Sequence, residues 1–326
     1  MKTINLLLIV VLSLITLTSC DGKGSFLNAS SAANEVLVVM EKNQWEGETG
    51  KALLDVLNSP VKGLPQREPN FRILHVTPDN FTSTFKMARN IVTPDISSIY
   101  SAPKLSSELD KYAYGQVILT VKAPDTTTFI NFLNENSESI IDYIVNKELE
   151  RQAQWLIKDS DATPSVIKQA FGINIYYPKG LSNIQEYPNF YWATNNAPRA
   201  RRDIIIYQFP YTSETIFEKD SLIAKRNEVL GEYIKGDFNS KMSTAINDFG
   251  PQYRKLEYDG LFRAELRGLW EMTTDMMGGP FVMQAFVNEK TNMVIVVEAL
   301  VFAPERDKRN LMRGMEASLY TISIPE

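Results

Sequence analysis

Phe262-Arg263-Ala264-Glu265-Leu266-Arg267-Gly268-Leu269-Trp270-Glu271-Met272 alternates with a period of two. Its even positions (Phe262, Ala264, Leu266, Gly268, Trp270, Met272) are apolar or small. Its odd positions are Arg263, Glu265, Arg267, Leu269 and Glu271. Successive strand residues point to opposite sides of a sheet, so this stretch predicts a strand with one face on a core and its charges on the other. Residues 254–258, 281–287 and 292–302 read as companion strands, with Asn288-Glu289-Lys290-Thr291-Asn292 as a hairpin loop. A helix follows over 304–320, where Leu311, Met315 and Leu319 recur every fourth residue with Met312 beside them. Arg306, Lys308, Arg309 and Arg313 cover its remaining surface. Gly278-Gly279-Pro280 reads as a tight turn before a strand.

Moving upstream, 190–194 and 203–209 read as strands. Leu222, Ile223, Val229, Leu230, Tyr233 and Ile234 mark a helix, and a shorter helix is expected over 238–247. Residues 165–171 predict a short helix, and 172–177 a strand ending at Pro178 and Gly180. Lys158-Asp159-Ser160-Asp161-Ala162-Thr163-Pro164 is polar and closed by proline, which makes it a domain boundary. In the first half, 35–40 is a buried strand, Leu53, Leu54 and Leu57 share a helical face, and 71–76 is a strand carrying His75. A short helix near 79–87 and strands over 89–92 and 116–122 follow, with a polar, irregular stretch between the last two. Pro124 opens a long helix at its first turn, lined by Phe129, Phe132, Leu133, Ile140, Ile144, Val145 and Leu149. The chain is thus expected to be α+β: mainly antiparallel sheets with helices packed on one face, in two sub-domains over 35–158 and 165–326.

The N-terminus sets an address. Lys2 precedes an apolar run from Ile4 to Leu17, the layout of a secretory signal peptide. That run is about fourteen residues, short of the roughly 20 needed to span a bilayer. It ends Leu17-Thr18-Ser19-Cys20, which resembles the lipobox of bacterial lipoproteins. The resemblance implies cleavage of 1–19, a diacylglyceryl thioether on Cys20 and acylation of the new amine. Residues 20–34 then read as a flexible tether of Gly, Ser, Ala and Asn, about 20 Å end to end. The expected location is the cell envelope, lipid-anchored, with the outer membrane favoured over the inner.

Composition closes several doors. The formal net charge is −5 and no polybasic tail occurs, so nucleic acid is not an expected partner. Cys20 is the only cysteine, which leaves no internal disulfide. His75 is the only histidine, so paired-histidine metal motifs are excluded, and no G-x-S-x-G elbow or dinucleotide fingerprint occurs. No cofactor and no metal site are expected. His75 itself reads as a packing or hydrogen-bonded edge residue. Arg199-Ala200-Arg201-Arg202 reads as a solvated loop, or as a contact for lipid phosphates.

Two charge constellations remain. Arg263, Glu265, Arg267 and Glu271 form either a solvated face with cross-strand ion pairs or a groove binding an anionic or hydrogen-bonding ligand. Glu298 interrupts an otherwise apolar strand, so it is expected to be paired, with Arg263 or Arg267 as its partner. The leading functional expectation is non-catalytic binding or assembly of an envelope protein or small ligand. The alternative is a hydrolase using Glu265, Glu271 or Glu298, which needs two carboxyls across a cleft.

Several stretches together resemble a family of uncharacterised Bacteroidota lipoproteins described as a domain of unknown function. They are Trp45-Glu46-Gly47, Gly63-Leu64-Pro65-Gln66 with Glu68-Pro69, Phe171-Gly172-Ile173 with Tyr177-Pro178-Lys179-Gly180, Glu265 through Glu271, Gly278-Gly279-Pro280-Phe281, and Ala303-Pro304-Glu305 with Lys308-Arg309. The resemblance implies an exported location and one shared architecture, and no activity. The 172–180 piece is also similar to part of PsbP-like domains.

Overall fold

The computed structural model describes residues 27–246 and 250–325. The expected signal peptide, Cys20 and residues 21–26 lie outside them. Strands β1 (Glu35–Val39), β2 (Arg72–Val76), β3 (Asn90–Ile96), β4 (Lys104–Leu109) and β5 (Val117–Ala123) form a first sheet in the order β2-β1-β3-β5-β4. Helix α1 (Glu48–Leu57) lies between β1 and β2 in sequence, and α2 (Thr126–Glu135) and α3 (Ser137–Asp159) follow β5. Three pairings, β1–β2, β1–β3 and β3–β5, are parallel, and only β4–β5 is antiparallel. The antiparallel expectation therefore fails for this sheet. The connection from β1 to β2 carries α1 and is long enough for a crossover, which parallel pairing requires.

After α4 (Ser165–Phe171), strands β6 (Asn183–Tyr187), β7 (Phe190–Thr194) and β8 (Arg201–Pro210), helix α5 (Lys219–Tyr233), strands β9 (Met242–Thr244), β10 (Gln252–Tyr258), β11 (Leu261–Met272), β12 (Gly278–Asn288) and β13 (Met293–Phe302), and helix α6 (Arg309–Glu316) complete the chain. Their sheet runs β10-β11-β12-β13-β8-β7-β6, with β9 paired to β11, and every pairing is antiparallel. The molecule is α+β.

Helices cover both faces of the second sheet, against the expectation of one. Leu149, Ala153 and Leu156 of α3, with α4 and α6, pack on the face of Ile204, Ile206, Val297 and Val301. Leu222 and Leu230 of α5 pack on the face of Ile205, Val296, Leu266 and Trp270. The cause is legible in Ile204-Ile205-Ile206 and Val294-Ile295-Val296-Val297, whose unbroken apolar runs leave no polar face for water. In the first sheet, α1, α2 and the start of α3 fill one face, and a smaller cluster with Phe81 and Tyr112 sits on the other.

Several local expectations shift. The long helix divides at Asn136, and α2 is capped by Asp125, whose carboxylate accepts from Thr128 N at 2.8 Å. The strand expected over 172–177 is a loop joined to Ser323 through Asn174. The helix expected over 238–247 gives way to a short 3-10 turn and β9. Gly278-Gly279-Pro280 lies inside β12, opposite Leu269, Trp270 and Glu271. A Cβ on Gly279 would fall 2.1 Å from the Val301 carbonyl oxygen, so close strand approach explains that glycine. The last part of the expected tether is docked: Asn28 bridges Tyr114, and Asn34 is fully buried.

Candidate functional site

The middle of the odd face of β11, at Glu265 and Arg267, is largely buried. It forms the floor of a cleft of about 750 Å³ between the two sheets' domains. The walls come from Asp55 on α1, Lys62 in the following loop, and Glu138, Asp142 and Asn146 on α3. On the floor, Glu265 is 2% exposed. Its Oε1 accepts from Arg254 Nε at 2.8 Å, its Oε2 accepts from Gln284 Nε2 at 2.9 Å, and Arg267 Nη2 lies 3.8 Å away. Burial alone would push this carboxyl up. Arg267 and Arg254, with the hydrogen bonds, more than reverse that and hold it below the usual carboxylate range. Arg267 also donates to Glu316 Oε1 on α6, while Glu316 Oε2 is buried without a hydrogen-bond partner among the described residues. Arg263 faces the same way but serves the fold. It donates to Gln284 Oε1 at 2.8 Å and to the Leu319 and Ile322 carbonyls at 2.5 and 3.3 Å, tying the C-terminal segment to the sheet.

A latch also joins the two halves of the molecule. Glu68 Oε1 accepts from Lys308 N at 2.7 Å and Oε2 from Arg309 N at 2.8 Å, so a carboxylate from the first domain caps the N-terminus of α6. Lys308 Nζ donates to Gln66 Oε1 at 2.6 Å, and Arg309 Nη1 donates to the Pro69 carbonyl at 2.7 Å. Gly63, at φ +77°, would place a Cβ 2.7 Å from Arg267 Cγ. Three of the stretches that carried the family resemblance, around 63–69, 265–271 and 303–309, therefore meet at this one place. Arg313, expected among the residues covering the outside of its helix, is buried. It donates to Asn34 Oδ1 at 2.8 Å, the Asn70 carbonyl at 2.7 Å and Asn70 Oδ1 at 2.6 Å. Burial lowers its pKa to about 10.

The other expected site residues fall elsewhere. Glu271 is exposed at the end of β11, opposite Ser243 and Gly278. Glu298 is fully buried on the α5 face, and its partner is neither Arg263 nor Arg267. Arg226 of α5 grips it in a fork, with Nε to Oε2 at 2.9 Å and Nη2 to Oε1 at 2.7 Å. The expected arginines point to the opposite side of the sheet. Burial pushes the Glu298 carboxyl up, and Arg226 offsets this only in part. Arg226 also donates to Thr244 Oγ1 at 2.8 Å and lies 3.8 Å from the Phe281 ring centroid. It falls four residues from both Leu222 and Leu230, so its place on the buried stripe was readable from spacing. His75 stacks on Trp45 at 4.4 Å and donates through Nε2 to the Met40 carbonyl at 2.9 Å. Arg201 pairs with Asp203 at 3.1 Å and belongs to β8 rather than to a loop. Among the described residues, no group of three or more His, Cys, Asp or Glu is placed to hold a metal ion, and no helix is long and apolar enough to cross a membrane.

No curated protein matches the chain. Among solved structures it is similar to the Saccharomyces cerevisiae Ran-binding protein Mog1p at 11% identity, covering 47% of this chain and 90% of that one, with a TM-score of 0.32. A single-site mutant of protein Mog1 matches over the same shares at 10% identity and a TM-score of 0.28. Residues 29–156 match the model of a family described as domain of unknown function DUF8532, and residues 160–321 match that of domain of unknown function DUF4837. The two matched segments meet at the end of α3, so each sheet falls within its own segment, the first similar to DUF8532 and the second to DUF4837.

Proposed function

We propose that this is a non-catalytic recognition protein of the bacterial cell envelope, held at the membrane by acylation of Cys20. Its binding site is the cleft between the two domains. The observation that carries this reading is Glu316 Oε2, a carboxylate oxygen buried at the cleft floor without a partner among the described residues. Leaving such an acceptor unpaired costs about 1–3 kcal/mol or more, so an occupant offering a hydrogen-bond donor gains what the protein forgoes. Asp55, Asp142, Asn134 and Asn146 line the approach and suit a polar ligand or a projecting segment of a partner protein.

Recognition rather than hydrolysis suits the carboxylates. Glu265 is held below the usual range, whereas a general acid needs a raised pKa. Glu298 is raised, but it lies on the far face of the sheet, locked by Arg226. Cross-linked purification of the native lipidated protein from cell envelopes tests the reading, beside an Asp55→Ala/Asp142→Ala double variant. A component captured by the native protein and lost from the variant supports the cleft. The same components captured by both would remove it as the site.

A further inference from the structure

Residues 27–30 are pinned at one end of the first sheet. Tyr114 N donates to the Leu27 carbonyl and Ala29 N to the Tyr114 carbonyl, both at 2.9 Å, and Ser30 N donates to the Met87 carbonyl at 2.9 Å. The loop holding Tyr114 is itself braced. Arg151 Nε donates to the Gly115 carbonyl at 2.6 Å, and Gln116 Nε2 donates to the Lys86 and Ala88 carbonyls at 2.6 and 2.7 Å. Segments 27–30, 83–88 and 109–116 thus make one continuous surface. Its apolar side chains face outward: Leu27 is 73% exposed, Leu109 55%, Tyr114 52% and Phe85 38%. Lys86 and Lys111 lie 5.2 and 5.7 Å from the centroid of the Tyr112 ring between them. Glu108 is engaged by Lys111 at 2.7 Å and Asp110 by Gly115 N at 2.6 Å, while Lys86 has no ion pair among the described residues.

We propose that this end of the first domain is the face that lies on the phospholipid headgroup layer. Leu27, Leu109 and Tyr114 dip into the interface there, and Lys86 meets lipid phosphates. The proposal rests on acylation of Cys20. Six residues lie between Cys20 and Leu27, and the seven steps from one to the other, fully extended, span at most about 25 Å. Leu27 is therefore held within that distance of the bilayer, and the surface around it is the part of the described molecule the anchor brings closest to lipid. Exposed aliphatic and aromatic side chains flanked by lysine are what the interface favours: rings sit at headgroup level and ammonium groups reach the phosphates. The acyl chains hold the protein at the bilayer, and this face fixes its orientation.

The test uses the full lipidated protein. Acylation consumes the Cys20 thiol, so in Tyr114→Cys, Leu109→Cys and, as a control in the second domain, Phe238→Cys, the introduced cysteine is the one reactive thiol. Each variant carries an environment-sensitive dye and is reconstituted into vesicles of phosphatidylethanolamine and phosphatidylglycerol. The expected result is a blue-shifted emission, quenched by a lipid-borne nitroxide, at positions 114 and 109 but not at 238. The Leu109→Cys variant keeps the test alive if substitution at Tyr114 loosens the pinned segment. A water-like emission at both 114 and 109, or an equal shift at 238, overturns the membrane-facing surface. Intact mass separates the two readings. Acylated protein with no shift leaves the anchor standing and removes the surface, whereas a mass without acyl groups removes both.

Discussion

Glu265 is a buried carboxylate that favours its ionised form, because two arginines and Gln284 converge on it. Its native pKa is depressed below an unfolded value of about 4.3, so the unfolded chain binds more protons in the window between the two. The stabilisation is complete above about 4.3 and is lost as pH falls through the native value. Replacing Glu265 by Gln removes the charge and leaves Arg254 and Arg267 under-compensated, at an expected cost of about 3–5 kcal/mol near neutral pH. Urea denaturation at stepped pH should show this deficit shrinking as pH drops below about 4.3. A constant deficit from neutral pH down to pH 3 would contradict the assignment. The alternation of β11 placed Glu265 and Arg267 on one face correctly. It could not say whether water or protein covers that face, because the cover comes from α6 and the segment after it, dozens of residues later. Glu298 was legible as a paired residue, since an apolar strand leaves its charge no other escape. Its partner was missed because only the apolar positions of α5 were used to place that helix, and Arg226 lies on the same buried stripe.

At the scale of elements, α6 has its N-terminus capped from outside its own domain. A substitution of Glu68 by Ala removes both acceptors for Lys308 N and Arg309 N, at an expected cost of about 0.5–2 kcal/mol. Gln at position 68 keeps one acceptor and should recover part of that loss in the same thermal or urea melts. If the Ala variant is as stable as the native protein, the cap contributes nothing. Gly63 supplies a second test of the same junction. Its positive φ and the Arg267 side chain both exclude a Cβ, so Gly63→Ala should cost about 1–2 kcal/mol from backbone strain alone, and a neutral melt would contradict this. The long strands of the second sheet, β8 and β11 to β13, were readable because each is strongly patterned. The parallel first sheet was not, since a buried run such as Glu35–Val39 looks the same in either pairing. The edge strand β6 carried no pattern at all: Asn183-Ile184-Gln185-Glu186-Tyr187 is mostly exposed and polar.

Across the whole molecule the two domains share a helix and a lock. The first turns of α3 contribute Ile140 and Ile144 to one core, and its later turns contribute Leu149, Ala153 and Leu156 to the other. The polar stretch 158–164 runs from the last residues of α3 to the start of α4, and it says nothing about how firmly the halves adhere. That firmness comes from residues about 240 positions apart, a separation no local pattern encodes. Arg313 is the central piece, because its guanidinium binds Asn34 and Asn70 at once. Truncation to Ala leaves those buried acceptors without that donor, at about 1–3 kcal/mol each, and removes the link of Asn70 to α6, while Asn34 Nδ2 still donates to Asn310 Oδ1 of that helix at 2.9 Å. The native protein should therefore lose amide protection in both sheets together. In Arg313→Ala, β1 and β3 should exchange before β11 to β13, in two separable steps followed by mass spectrometry. This order is expected because the first sheet has the smaller core and depends on the lock for its closure. If both sheets of the variant still open in a single step, the shared helix α3 is sufficient to couple them and Arg313 is only a local contact.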